Sequence, residues 1–321
     1  MGCYAINKLD HESPGKIKSE TCYNPTIMIQ SKKFNTPIHE LIRQRYSCRT
    51  YKTEPISSED LSELIAFSKS CKSGPSGNSL RFTVVTASKE DAKSLKSLGT
   101  YGFIKDPAGF VIGVIQDQPR SLEDFGYQME MIVLRAVDMG IGSCWLGGTY
   151  TKSRFAKLVK PEDGETIPSV ISIGYPADQQ AWMDRIARTT AGADRRLPWQ
   201  DLFFSGSFEE VLSPAEAGMY SEPLELVRLA PSASNKQPWR VLRQGNLWHF
   251  YLNRTKNYPP PVFDFLLGLA DLQRIDMGIA MAHFELSASE VGQSGKWVIN
   301  DPDLSRTKPG LEYNITWVQN T

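Results

Sequence analysis

What this sequence lacks narrows its chemistry first. It has no CxxC pair and no HExxH or other paired histidine spacing. Its five scattered cysteines (Cys3, Cys22, Cys48, Cys71, Cys144) and four isolated histidines therefore suggest neither a disulfide framework nor a zinc site, and no metal is expected. Lys plus Arg equals Asp plus Glu at 36 each. No field of one sign invites nucleic acid or an anionic membrane, and a small-molecule partner is expected. No uncharged apolar run reaches the roughly 18 residues of a membrane span, and the first residues lack the apolar core of a signal peptide, so a cytoplasmic protein is expected. MGCYAI begins with Met-Gly but carries Ile6 where a myristoylation signal has Ser or Thr. No GxGxxG turn follows an expected strand, which leaves no dedicated dinucleotide fingerprint.

What is present is a soluble-type composition in a chain of 321 residues, long enough for two packed units. Residues 1–35 read as a polar extension, poorly ordered by expectation. From there the pattern is regular. PIHELIRQR and SSEDLSELIAFSKSCK predict helices, the first with Pro37 at its start and the second capped by Ser57 or Ser58. RFTVVTA and FVIGVIQ predict strands with a helical SKEDAKSLKSL between them. SLEDFGYQMEMIVLRAVDMG predicts a long helix, apolar on most sides and so central. IPSVISIGYP adds a buried strand. Residues 177–205 read as a crossing linker between a first unit, 36–176, and a second, 206–321. In the second unit PLELVRLA predicts a helix, WRVLRQGNLWHFYLN two strands around Gly245, 261–292 a long helical region, and KWVIN and LEYNITWVQN the closing strands.

The order of elements repeats. DFGYQMEMIVLRAVDMGIGSCW, from 124, aligns without gaps on DMGIAMAHFELSASEVGQSGKW, from 276, with seven identities in 22 positions. They are Asp124/Asp276, Gly126/Gly278, Met129/Met281, Leu134/Leu286, Ala136/Ala288, Gly140/Gly292 and Trp145/Trp297, each pair 152 residues apart. Helical amphipathicity imitates repetition, but the Gly and Trp beyond the helix end need another explanation, and an internal duplication supplies one.

Chemistry is divided unevenly between the halves. In RQRYSCRTY, Arg45, Ser47 and Arg49 alternate; an extended backbone sets them on one side, where two guanidiniums and a hydroxyl can grip a phosphate. A solvated basic patch is the alternative. The corresponding stretch before PLELVRLA has no arginine, whereas GPSGNSLRF of the first half is a shortened form of APSASNKQPW in the second. A surface turn is the plainer reading of that loop, and a helix end followed by a strand the plainer reading of GIGSCWLGG. If the halves pack like two subunits, RQRYSCR of one can face APSASN of the other.

RYSCRTY, ASNKQPW and DMGIGSCWLGG resemble three signature stretches of the FMN-dependent nitroreductase family, ordinarily homodimers with two flavins at the subunit interface. The resemblance covers about residues 36–321 and is to a fused, tandem version of the kind found in anaerobic bacteria. It implies an α+β fold of two tandem units, each with a mainly antiparallel sheet and a long central helix, packed as an internal pseudo-dimer and acting as a monomer. It further implies that Arg45, Ser47 and Arg49, with the backbone of Tyr46, bind the phosphate and polar edge of FMN. Pro231, Ser232, Ala233 and Asn235, with Gln237 beside them, would approach from the other side. Gly147 and Gly148 would bring backbone N–H groups to the flavin N5 and O4 edge. Arg196 matches a basic residue that reaches the phosphate; Asp194 stands where the family has a lysine, and Arg195 is the alternative.

The implied activity is an FMN-dependent oxidoreductase in which NAD(P)H, a transient co-substrate, reduces nitroaromatics, quinones or similar electron-poor acceptors by ping-pong hydride transfer through flavin N5. No side chain need be catalytic. Two alternatives stand beside it: specialised chemistry such as dehalogenation, flavin fragmentation or dehydrogenation, and a flavin- or ligand-binding protein without turnover. Because each half keeps a different part of the grip, one flavin per chain is expected.

Overall fold

A computed structural model describes residues 34–86, 104–147, 151–177, 195–255, 270–304 and 310–320. The helix expected over SKEDAKSLKSL, the first part of the 261–292 helical region, Gly148, Asp194 and nearly all of the N-terminal extension lie outside the described residues. The fold is α+β. Helix α1 (Ile38–Gln44) follows Pro37, and α2 (Ser58–Ser70) begins where the Ser57 side chain accepts the Asp60 N–H at 3.1 Å. Strands β1 (Leu80–Thr86) and β2 (Gly109–Gln116) precede the long helix α3 (Ser121–Asp138). Then come β3 (Gly142–Leu146), α4 (Lys152–Val159), β4 (Glu165–Thr166) and β5 (Val170–Gly174). These strands form one antiparallel sheet in the order β1-β2-β5-β3, with β4 on β2.

The second sheet starts inside the stretch read as a linker. Strand β6 (Phe203–Ser205) pairs in parallel with β8 (Trp239–Gln244) and antiparallel with β7 (Ser207–Val211). Helices α5 (Pro214–Ala217) and α6 (Ser221–Arg228) intervene, α5 opening on a Ser213/Glu216 capping box. Strand β9 (Leu247–Asn253) returns beside β8 through a turn at Gly245, whose φ of 60° suits glycine. The long helix α7 (Leu272–Glu290), β10 (Gly295–Val298) and β11 (Leu311–Gln319) complete the order β10-β11-β9-β8-β6-β7. Among the described residues no helix is long and apolar enough to cross a membrane.

The 152-residue repeat has a physical basis at almost every identity. Helices α3 and α7 cross at Gly126 and Gly278: a Cβ on Gly126 would strike the carbonyl of Ile275, and one on Gly278 the carbonyl of Glu123. Ile275 and Glu123 are themselves 152 residues apart, so the contact is reciprocal, as across a two-fold axis. Both helices then end alike. Gly140 and Gly292 take φ of 71° and 78°; their N–H groups bond Val137 and Ser289, and the next N–H groups bond Ala136 and Ala288 at 2.8 Å. That is a Schellman ending, which favours glycine at the left-handed position. Met129, Met281, Leu134 and Leu286 are buried in the shared core.

Candidate active site at the interface of the two sheets' units

The first useful side chains emerge where α1 stops. Its C-cap is Arg45, after which the chain extends and Ser47 forms a parallel bridge with Ser143 of β3, the Cys48 N–H bonding the Ser143 carbonyl at 2.8 Å. That pairing sets Ser47 beside the start of β3, and Gly147 follows Leu146 at the strand's other end. Leu272, at the start of α7, packs against Gly147 where another residue would carry its side chain: a Cβ built there would lie 2.6 Å from a Leu272 methyl.

From the other unit comes the loop after α6. The Asp276 carboxylate, on the first turns of α7, accepts the Ala233 N–H at 3.0 and 3.1 Å. Burial holds this carboxyl well above the usual carboxylate range, while the Ala233 N–H opposes that shift. Asp124 does the same work in the first unit, taking the N–H groups of Ser76 at 2.8 Å and Asn78 at 3.0 Å; burial pushes it up to about 6, against the pull of those bonds. Each unit therefore suspends its Pro-Ser loop from the first aspartate of its long helix. The second loop bends hard: Ser234, Asn235 and Gln237 have φ of 50°, 55° and 49°, unusual for residues other than glycine.

These pieces enclose a cavity of about 300 Å³. Ser47, Arg49 and Gly147 line it from the first unit, and Pro231, Ser232 and Ala233 from the second. Trp145, Leu272, Ile275 and Ile279 add apolar wall, and Arg49 is the one cation among the described lining residues. Two stretches some 180 residues apart thus meet across one cleft.

Other expected residues sit behind the wall. Arg45 caps α1, and Tyr46 packs against the core cluster that contains Cys48 and Cys144. Arg196 reaches Asn235 Oδ1 at 3.1 Å and the Leu229 carbonyl at 3.1 Å. The Asn235 amide donates to the Arg195 carbonyl at 2.7 Å, and Gln237 accepts the Leu197 N–H at 2.8 Å. In this arrangement Arg196, Asn235 and Gln237 bind the loop to the segment before the second sheet; none is among the lining residues. Gly148 lies outside the described residues. Reading by motif overlooked Trp145, Leu272, Ile275, Asp276 and Ile279. Trp145 and Asp276 carried a usable signal, as each is one of the seven repeat identities.

At the matching place in the other half the wall is different. Arg120 and Glu123 stand at the positions of Leu272 and Ile275, and Ile299, 57% exposed, at that of Gly147. Arg274 pairs with Glu123 at 2.8 Å and Glu312 at 3.0 Å, and Arg254 pairs with Asp271 at 2.6 Å. Charged groups and a β-branched side chain thus stand where the first cavity has Leu272, Ile275 and Gly147.

A family model described as "Putative TM nitroreductase" matches residues 37–288. A curated relative from Archaeoglobus fulgidus, "Putative NADH dehydrogenase/NAD(P)H nitroreductase", is 28% identical over 172 residues, covering 50% of this chain and 97% of that protein. The crystal structure of a putative nitroreductase from Thermotoga maritima superposes with a TM-score of 0.53 at 19% identity, over 95% of this chain and 100% of its own. The likeness of fold thus spans both sheets.

Proposed function

Because the chain belongs to the family described as "Putative TM nitroreductase", we propose that its interface cavity binds one FMN and that the protein uses NAD(P)H to reduce an electron-poor acceptor such as a nitroaromatic or a quinone. The observation that carries this reading is the joining of Ser47, Arg49 and Gly147 with Pro231, Ser232 and Ala233 around one cavity. The residues fit the group. Arg49 offers a guanidinium to a phosphate, Gly147 carries no side chain at the cavity edge and lets Leu272 close against it, and Trp145, Ile275 and Ile279 suit the face of a flat ring. Bound there, FMN would supply two-electron hydride chemistry at its N5.

The protein's own task is then to hold and to shield. Asp276 keeps the 231–233 backbone at the cavity, so the polar groups of that loop are oriented before anything binds. Ile275, Ile279 and Leu272 exclude water from one side. We read residues 36–176 and 206–321 as two nitroreductase-like units fused into an internal pseudo-dimer, with 177–205 crossing between them and its last residues, Phe203–Ser205, entering the second sheet. The charged wall opposite supports one flavin per chain. Anaerobic addition of NADH or NADPH to the purified yellow protein should bleach its absorbance, and a nitroaromatic or quinone should restore it, with ping-pong steady-state kinetics. If neither nicotinamide bleaches a bound flavin, the reductase reading fails and a binding protein without turnover is the better account.

A further inference from the structure

Behind the cavity wall lie two buried side chains that the proposed function does not use. Glu130 of α3 and His283 of α7 are each 0% exposed, and His283 Nε2 lies 3.0 Å from Glu130 Oε1. The second carboxylate oxygen, Oε2, accepts the indole N–H of Trp145 at 2.9 Å, and Trp145 lines the cavity from the first unit. The second imidazole nitrogen, Nδ1, lies 2.9 Å from the Leu226 carbonyl in the last turn of α6. Carbonyls at a helix end lack partners within the helix, and His283 supplies one here. Five residues further on, Pro231 opens the stretch that lines the cavity from the second unit.

The hydrogens follow from the partners. A carbonyl only accepts, so Nδ1 carries a hydrogen; one more lies between Nε2 and Oε1, and Oε2 is left to accept from the indole. One unbroken line of hydrogen bonds therefore runs from α6 through α7 and α3 to β3. It joins Trp145, in one wall, to the helix that leads into the other. The duplicated tryptophan makes a useful contrast. Trp297 donates to Glu285 Oε2 at 2.5 Å, and the same oxygen accepts the Tyr127 hydroxyl at 2.9 Å. Glu130 and Glu285 are not equivalents in the repeat, since Ala282 stands 152 residues after the one and Val133 152 residues before the other. Each tryptophan thus has its own glutamate, not a copied one. Trp297 is not among the described lining residues, so Glu285 braces core where Glu130 braces a wall.

We propose that Glu130 and His283 are positioning residues of the interface cavity: together they form a strut that fixes the Trp145 indole relative to the α6 end of the 231–233 loop, and so sets the cavity to the flavin. Neither is among the described lining residues; both act through Trp145 and Leu226. The inference rests on the flavin reading of the cavity and adds two residues to it.

The test joins two readouts on the full-length protein: hydrogen exchange of the Trp145 indole N–H, followed by NMR after ¹⁵N labelling of tryptophan and assigned through Trp145→Phe, and FMN affinity from fluorescence titration of the apoprotein. Glu130→Met, which removes both acceptors at similar volume, should speed indole exchange and weaken FMN by at least about tenfold, the scale of one lost charge-assisted hydrogen bond. Glu130→Gln, whose amide can accept from the indole and donate to Nε2, should stay close to the parent in both. His283→Gln, which keeps a donor for Glu130 but gives up Leu226, should weaken FMN as well, and it replaces Glu130→Met if that variant does not fold. Glu285→Met should lower the melting temperature and leave FMN affinity unchanged. The proposal is overturned if Trp145 exchanges alike in the parent and the folded Glu130 or His283 variant, if that variant binds FMN as the parent does, or if Glu285→Met weakens FMN equally. Should the parent itself bind no FMN, the flavin reading fails, and the strut stands or falls on indole exchange alone.

Discussion

Arg49 is the residue on which the flavin assignment leans most, since it alone brings a positive charge to the described cavity wall. Loss of a charge-assisted bond to phosphate costs about 1.5–3 kcal/mol. Arg49→Ala should thus weaken FMN binding roughly 10- to 100-fold, measured by fluorescence titration of the apoprotein, with little change in thermal unfolding. Asn235→Ala should behave differently. It cuts the ties to Arg195 and Arg196 that hold the bent loop, so both the melting temperature and flavin retention should fall together. Glu285 offers a pH test. It accepts the Trp297 indole at 2.5 Å and the Tyr127 hydroxyl at 2.9 Å, and burial lifts it from its ordinary 4.5 to about 7, against the pull of those two bonds. A carboxyl that holds its proton more tightly folded than unfolded contributes stability that is full below the unfolded value and lost as pH rises through the folded one. Stability should therefore decline between pH 4.5 and about 7, and Glu285→Gln should remove up to about 3 kcal/mol of that decline in urea unfolding. A decline unchanged by the substitution would contradict the assignment.

At the scale of elements, the crossing of α3 over α7 governs whether the two halves stay joined. Gly126→Ala and Gly278→Ala each press a methyl group into the backbone of the facing helix. Each should destabilise the fold by at least the 1–3 kcal/mol typical of overpacking, read from denaturant midpoints. Gly140→Ala, where nothing lies within 4 Å of an added Cβ, should cost only the left-handed strain, about 1 kcal/mol. The long helices were legible in the sequence because their apolar residues run nearly all round and their ends carry glycine. Less legible were the contacts that close the site. Asp124 and Asp276 appeared only as repeat identities, because the amides they hold lie 43 to 48 residues away and follow no local spacing. Arg45 was grouped with Ser47 and Arg49 by an alternation that presumes extended backbone throughout. It is the C-cap of α1, with φ −58° and ψ 129°, and only Ser47 and Arg49 of the three are among the residues lining the cavity.

For the whole molecule, the meeting of both halves around one cavity is the central fact. Ser47, Arg49 and Gly147 of the first half meet Pro231, Ser232 and Ala233 of the second around it, whereas the start of α3 is crossed by ion pairs. The division was visible beforehand in the arginines of one half and the long Pro-Ser loop of the other. The ion pairs at the start of α3 were not, because Arg274 and Glu123 are 151 residues apart and meet only when the two long helices pack. Under the proposed reading the two halves of one chain complete the site and no second chain is needed, so light scattering should return a monomer of 36.0 kDa. The most direct measurement of the account is the ratio of FMN to polypeptide, from flavin absorbance after denaturation, in protein reconstituted with excess FMN and freed of the surplus. A composite site made once should give about one; a value near two, or no retained FMN at all, would contradict it.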